Sequence, residues 1–167
     1  QLSNFTATSD NSGAKELWRG PWAGISRTNW ILTNIDKSPK ISDAKKTQYK
    51  GEAHFLRGLY YFNLVRLFGD VPWIDKQQTA SDDLQVSRTS KDIVYQHIID
   101  DFSDAASMLP AVYENTTDIG RATKGAAFGL LAKVYLTLKR YNETLVAIDS
   151  VTNLGVYSLN RKYEWNF

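Results

Sequence analysis

Between Glu52 and Trp73 the apolar residues recur at helical spacing around most of a helix circumference. Ala53, Leu56, Tyr60, Leu64 and Leu67 lie three or four residues apart and share one face. Phe55, Leu59, Phe62 and Val65 form a second stripe beside it, and charges such as Glu52, Arg57 and Arg66 are confined to narrow positions. A helix with so wide an apolar girth must be covered from more than one side. The pattern predicts a central helix over 43–68, capped by Ser42, with Leu56 and Tyr60 turned to the core. Gly69 can take the left-handed conformation that ends a helix, and Pro72 prevents its resumption.

Weaker patterns predict further helices over 21–36, 90–109, 123–138 and 142–154. In the first, Pro21 lacks the amide proton an inner turn needs, so the helix is expected to start near Gly20, with Trp18 left on a loop or short turn. Thr89-Ser90 followed by Asp92 marks the start of the third helix, Ile93 or Val94, Ile98, Phe102, Ala105 and Leu109 its apolar stripe, and Pro110 its end. Asn142 is expected to cap the last helix. The polar connections Gln77 to Ser87 and Glu114 to Gly120 read as exposed loops, and no region is rich in strand signals. The domain reading is a loop-rich entry over 1–20, a helical core over 21–155 and an aromatic tail over 156–167.

The last two helices carry a repeat signature. Phe128, Leu131, Ala132, Tyr135, Tyr141, Ile148 and Val151 fall at the large and small positions of the tetratricopeptide pattern. Lys139 stands where that pattern has Gly, and Thr144 where it has Ala. The fold class is therefore all-α, with tetratricopeptide-like stacked helical hairpins, an architecture that presents a broad surface to partners.

Composition then narrows the function. A net charge of +2 with no basic run argues against nucleic acid. No apolar run approaches the roughly 20 residues of a membrane helix. Without Cys there is no disulfide or thiolate metal site. His97 and Asp101 have the helical spacing of two metal ligands, but a solvated pair is the expectation, and no metal or other cofactor is predicted. Asp82-Asp83 and Asp100-Asp101 are adjacent and do not face each other as the two acids of a glycosidase do. No phosphate loop or nucleophile elbow is present. The unusual feature is five Trp, nine Tyr and seven Phe. Flat rings either fill a core or offer platforms for the C–H faces of sugars, whose hydroxyls then need polar neighbours. Trp18 and Trp22, close to Asn11, Lys15 and Arg19, form the best group of that kind, set against the reading that both indoles plug helix packing. Trp73 is expected to seal one end of the core, and Trp30 has no evident polar companions.

Several segments in order resemble the SusD/RagB family of outer-membrane glycan-binding lipoproteins. Trp18, Trp22, Ile25 and Asn29 are similar to the family's Trp-x3-Tyr-x2-Ile-x3-Asn helix, with Trp22 in place of the usual Tyr or Phe. Glu52-Ala53-His54-Phe55-Leu56-Arg57, Tyr60-Tyr61-Phe62 and Gly69-Asp70-Val71-Pro72 resemble its strongest motif. Arg88, Val94-Tyr95, Ile98, Asp101 and Leu109-Pro110, and then Gly120 to Ala127 with Leu131 to Leu136, match later blocks. The resemblance implies a non-enzymatic binder at the outer-membrane surface that captures an oligosaccharide and delivers it to a SusC-like TonB-dependent transporter. It implies a lipid anchor outside this segment, because family members are several times longer. The tail residues Tyr163, Trp165 and Phe167 are then expected to pack on chain beyond the segment. A scaffold that binds only protein partners is the competing reading, and a glycan-processing enzyme ranks last.

Overall fold

The Ser42 hydroxyl accepts the Lys45 N–H at 3.4 Å and so starts the long helix, and Gly69 at φ 70° ends it. The computed structural model describes residues 12–82, 85–158 and 162, and in it this helix is α2, Asp43–Phe68. The others are α1 (Ser12–Asn34), α3 (Lys91–Met108), α4 (Lys124–Thr137) and α5 (Tyr141–Thr152). Single 3-10 turns follow α1 at Ile35–Lys37 and precede α4 at Thr116–Asp118. Among the described residues the one β feature is an isolated antiparallel bridge between Val71 and Thr89. Each helix packs on its neighbour in sequence, so α2 lies between α1 and α3 and the row continues through α4 to α5. The architecture is all-α, as stacked helical hairpins.

The buried face of α2 is turned relative to the expected one. Ala53, Tyr61, Phe62, Leu64 and Val65 are buried, but Leu56 is 39% exposed and Leu67 55%. The reason is polar. Arg57 and Tyr61 occupy the strip between α1 and α3 because their guanidinium and hydroxyl find partners there. That moves Leu56 and Leu67 to the outside. Tyr60 is half-buried, its ring lying directly over Gly24 of α1, where any side chain would collide. On the other side, a Cβ at Gly58 would stand 3.1 Å from Phe102, so Gly at this position lets α3 lie close without a shift of that ring.

α1 departs more. It begins at Ser12 and runs through Pro21, so Trp18 is helical and the expected start near Gly20 is wrong. An internal proline costs about 3 kcal/mol. Trp18 and Trp22, one turn apart on either side of Pro21, work against that cost by packing on each other and on α2, with ring centroids 5.4 Å apart and Phe68 5.0 Å from Trp18. Residues 1–11, including Asn11, lie outside the described residues.

The α4–α5 turn shows why Gly is usual where this chain has Lys139. Lys139 has φ 58°, with its N–H bonded to the Leu136 carbonyl at 3.0 Å and the Arg140 N–H to Tyr135 at 2.9 Å. This is the paired bonding of a Schellman helix end, in which the left-handed residue is ordinarily Gly. Because that turn extends to Arg140, α5 starts at Tyr141 and Asn142 is not its cap. Thr144, at the usual Ala position, is buried and satisfies its hydroxyl on the Arg140 carbonyl at 2.9 Å. Of the tail, Tyr157 is described, its hydroxyl 2.8 Å from that of Thr123; Tyr163, Trp165 and Phe167 lie outside the described residues.

Two outcomes follow for denaturant titration of the protein. Leu64→Ala is expected to cost about 2–5 kcal/mol as a core truncation, and Leu56→Ala about 1 kcal/mol or less. Equal losses would contradict the turned face. Lys139→Gly is expected to raise stability by about 1 kcal/mol through relief of the left-handed backbone.

Candidate functional site

The Gly69-Asp70-Val71-Pro72-Trp73 turn joins α2 to α3 by direct bonds. Asp70 Oδ1 accepts the Lys91 N–H at 2.8 Å and so caps α3. Of the expected Thr89-Ser90 start, Ser90 holds the cap position but its side chain makes no capping bond. The Thr89 N–H donates to the Val71 carbonyl at 3.0 Å and the Trp73 N–H to the Thr89 hydroxyl at 3.3 Å. Beyond Trp73 the chain runs without helix or strand as a strap, residues 73–78, bonded along α1. Tyr61 both accepts the Ile74 N–H at 2.8 Å and donates to its carbonyl at 3.2 Å. Asn29 donates to the same carbonyl at 2.7 Å, Thr33 accepts the Gln77 N–H at 3.3 Å and Asn34 donates to the Gln77 side chain at 2.7 Å. The start of the expected exposed loop is therefore tied down.

One buried ionic junction holds these parts together. Arg57 donates from Nε to Asp101 Oδ2 at 2.9 Å and from one terminal nitrogen to Oδ1 at 2.7 Å. Its other terminal nitrogen donates to Asn29 Oδ1 and to the Asp75 carbonyl, each at 3.0 Å. One guanidinium thus bonds α1, α3 and the strap. His54 Nδ1 lies 2.7 Å from Asp101 Oδ1. Asp101 is 2% exposed and Arg57 8%. Burial alone would lower the Arg57 pKa, but the hydrogen bond and charge of Asp101 outweigh it and hold it above its ordinary value. The expected solvated His97–Asp101 pair is thus not formed. Asp101 is committed to Arg57 and His54, while His97 stacks on Trp73 at 4.4 Å and 11°. Among the described residues no cluster of His and acids could hold a metal ion.

Aromatic rings continue from this junction. Trp73 packs between His97 and Tyr61, Tyr61 meets Trp22 edge to face, and Trp22 meets Trp18, which closes on Phe68. Beside Trp18 opens a hollow of about 440 Å³ lined by Ala14, Lys15, Trp18, Arg19 and Phe68. Four of the five residues expected from sequence are therefore near one another, and three of them, Lys15, Trp18 and Arg19, share this hollow. Trp22 instead lines a separate groove of about 210 Å³ with Ser26, Asn29, Ile74, Lys76 and Gln78. That groove was missed because the strap's path is not encoded in a period. The spacing of Trp22, Ser26 and Asn29 on one helix face was the available signal. Trp30 is 56% exposed beside an apolar groove lined by Ile31, Ile41 and Leu56.

Removing one partner of the junction, as in Asp101→Ala, is expected to cost about 3–5 kcal/mol, because the other charge is left buried and unpaired. The Arg57→Met/Asp101→Leu double variant should lose far less than the sum of its single changes; additive losses in urea titration would deny the coupling. Alkali gives a second readout. Burial holds the Tyr61 hydroxyl well above its ordinary range, and burial with the Glu52 charge pushes Tyr113 up to about 12. Their folded pKa values exceed the unfolded value of 10.0, so their stabilisation is complete below pH 10 and is lost as pH rises beyond it. Tyr113→Phe should flatten that loss in unfolding measured from pH 9 to 12.

Comparison with known proteins agrees with this geometry. The family model described as starch-binding and associating with outer membrane, SusD-like, matches residues 1–136. A SusD-like protein of Formosa agariphila is 34% identical over 156 residues, 92% of this chain and 30% of that protein. A SusD superfamily protein of Bacteroides vulgatus superposes with a TM-score of 0.88 at 27% identity, over 99% of this chain and 35% of that one. A laminarin-binding SusD-like protein superposes at 0.76 with 31% identity, over 81% of this chain and 29% of that one. The chain thus spans about a third of the length of these proteins. By the matched model and the shared helical backbone, the chain belongs to the SusD-like family of starch-binding, outer-membrane-associated proteins.

Proposed function

We propose that the protein to which this chain belongs captures a glycan at the outer-membrane surface and passes it to a SusC-like TonB-dependent transporter, held there by a lipid anchor outside this segment. Membership of a starch-binding family carries the reading, and the hollow beside Trp18 gives it a local form. Trp18 supplies a ring edge and face for the apolar side of a sugar. Lys15 and Arg19, both exposed, supply donors for its hydroxyls. Trp22 supports Trp18 from below, and Asn11 is a further polar companion proposed from sequence alone. Trp18 has a packing role as well, because its ring closes on Phe68.

A second reading, a scaffold for protein partners alone, draws on α4 and α5. Leu136, Tyr141, Leu145, Val146 and Ile148 are all exposed there. Such a surface is larger in apolar character than a sugar needs.

Calorimetric titration of the full-length protein with maltohexaose and laminarihexaose separates the two. The glycan reading expects binding of at least one oligosaccharide. Arg19→Ala should weaken it without changing the melting temperature, and Trp18→Ala should weaken it by about 1–3 kcal/mol, the range for stacking platforms, with some loss of stability. Unchanged affinity in both variants would remove the hollow from the site, and no binding of any glycan would favour the scaffold.

A further inference from the structure

We infer that the groove between α1 and the 73–78 strap is a second glycan subsite, sized for a single sugar ring and sharing no lining residue with the Trp18 hollow. The inference rests on the glycan-binding reading above and names where a further ring sits.

The size fits. At about 210 Å³ the groove is smaller than the roughly 300–1,000 Å³ of pockets for drug-sized ligands, and it is open to solvent on one side. Its walls combine a flat apolar surface with short-range polar groups. Trp22 and Ile74 give the apolar part, and Ser26, Lys76 and Gln78 the polar part. Asn29 also lines the groove, but its amide is consumed by the Ile74 carbonyl and by Arg57, so it serves as wall. Lys76 pairs with Asp82 at 3.5 Å and keeps an exposed ammonium whose N–H groups can donate to ring hydroxyls.

The groove is also rigid. Ile74 is bonded at both its N–H and its carbonyl, and Arg57 holds the Asp75 carbonyl. A ligand entering it therefore orders little that is not already ordered, which favours binding.

Trp22 contributes its ring to the groove rather than its N–H. Among the described residues, Nε1 is the buried side-chain nitrogen or oxygen without a hydrogen bond, and being shielded it lies out of reach of a ring in the groove. Its resonance still reports on what packs against the indole.

The test follows that N–H directly. Full-length protein carrying nitrogen-15 in its indole groups is titrated with maltohexaose and laminarihexaose, and the Trp22 Nε1–H resonance is assigned by its loss in Trp22→Phe. Addition of a bound oligosaccharide is expected to move that resonance, because a sugar ring packs against the indole. Ser26 is exposed, so Ser26→Phe can fill the groove with the helix intact. It should abolish the movement and weaken affinity about tenfold, within the range for one stacked ring. Lys76→Ala, on the strap, should weaken affinity in the same direction if Ser26→Phe fails to fold. Arg19→Ala should lower affinity yet leave the Trp22 movement at saturation. Oligosaccharide binding with an unmoved Trp22 resonance would overturn the subsite and leave the glycan reading standing, the indole then being satisfied by a neighbouring ring face. No oligosaccharide binding at all would overturn both.

Discussion

The Arg57 guanidinium is the point at which three separate parts of this chain meet. Its bonds reach Asn29 on α1, Asp101 on α3 and the Asp75 carbonyl on the strap. A buried charge pair is a poor source of stability in itself, since taking both ions out of water costs about as much as their attraction returns. What it supplies is geometry. A planar fork with a bidentate carboxylate admits one arrangement of α2 against α3, and the remaining nitrogen extends that constraint to α1 and the strap. Gly58, next to Arg57, lets α3 come close enough for the pair to form. A Leu at position 57 would fill similar space without selecting any of these orientations.

The aromatic rings follow from that junction. Trp73 sits where the turn delivers it, between His97 and Tyr61, with the Arg57 guanidinium 5.4 Å from its ring. Tyr61 uses its ring on Trp22 and Trp73 and its hydroxyl on Ile74. The two surface hollows lie at the outer end of this series. One opens beside Trp18 with Lys15 and Arg19, the other along the strap beside Trp22. The strap groove is held by the bonds of Ile74 to Tyr61 and Asn29 and by Arg57 on the Asp75 carbonyl.

The helix count and order were legible from apolar period and breakers, and α2 was bounded correctly by Ser42 and Gly69. What the period could not show was where polar side chains find partners. Arg57 read as a surface charge on α2, yet it is buried because Asp101, 44 residues away, faces it. The displaced Leu56 and Leu67 are the direct result. Pro21 read as a helix start because a local rule was weighed without the Trp18 and Trp22 packing that overrides it. Thr89-Ser90 and Asn142 read as helix starts with capping side chains, whereas Asp70 caps α3 from outside the local pattern and Arg140 takes the cap position of α5. Of the candidate site, the Lys15, Trp18 and Arg19 cluster was visible because all three lie on one helix within a turn. The Trp22 groove was not, because Lys76 and Gln78 reach it through a strap placed by long-range bonds.

The organising role of Arg57 is open to a direct measurement in the full-length protein. Amide hydrogen exchange reads the Ile74 and Gln77 N–H groups, which are bonded only to side chains, separately from the N–H groups inside α2. If Arg57 holds the strap, Arg57→Met should strip protection from Ile74 and Gln77 while the interior of α2 keeps most of its own. Protection of the strap amides equal to that of the unchanged protein would show that the strap stands without Arg57 and would contradict the role assigned to it.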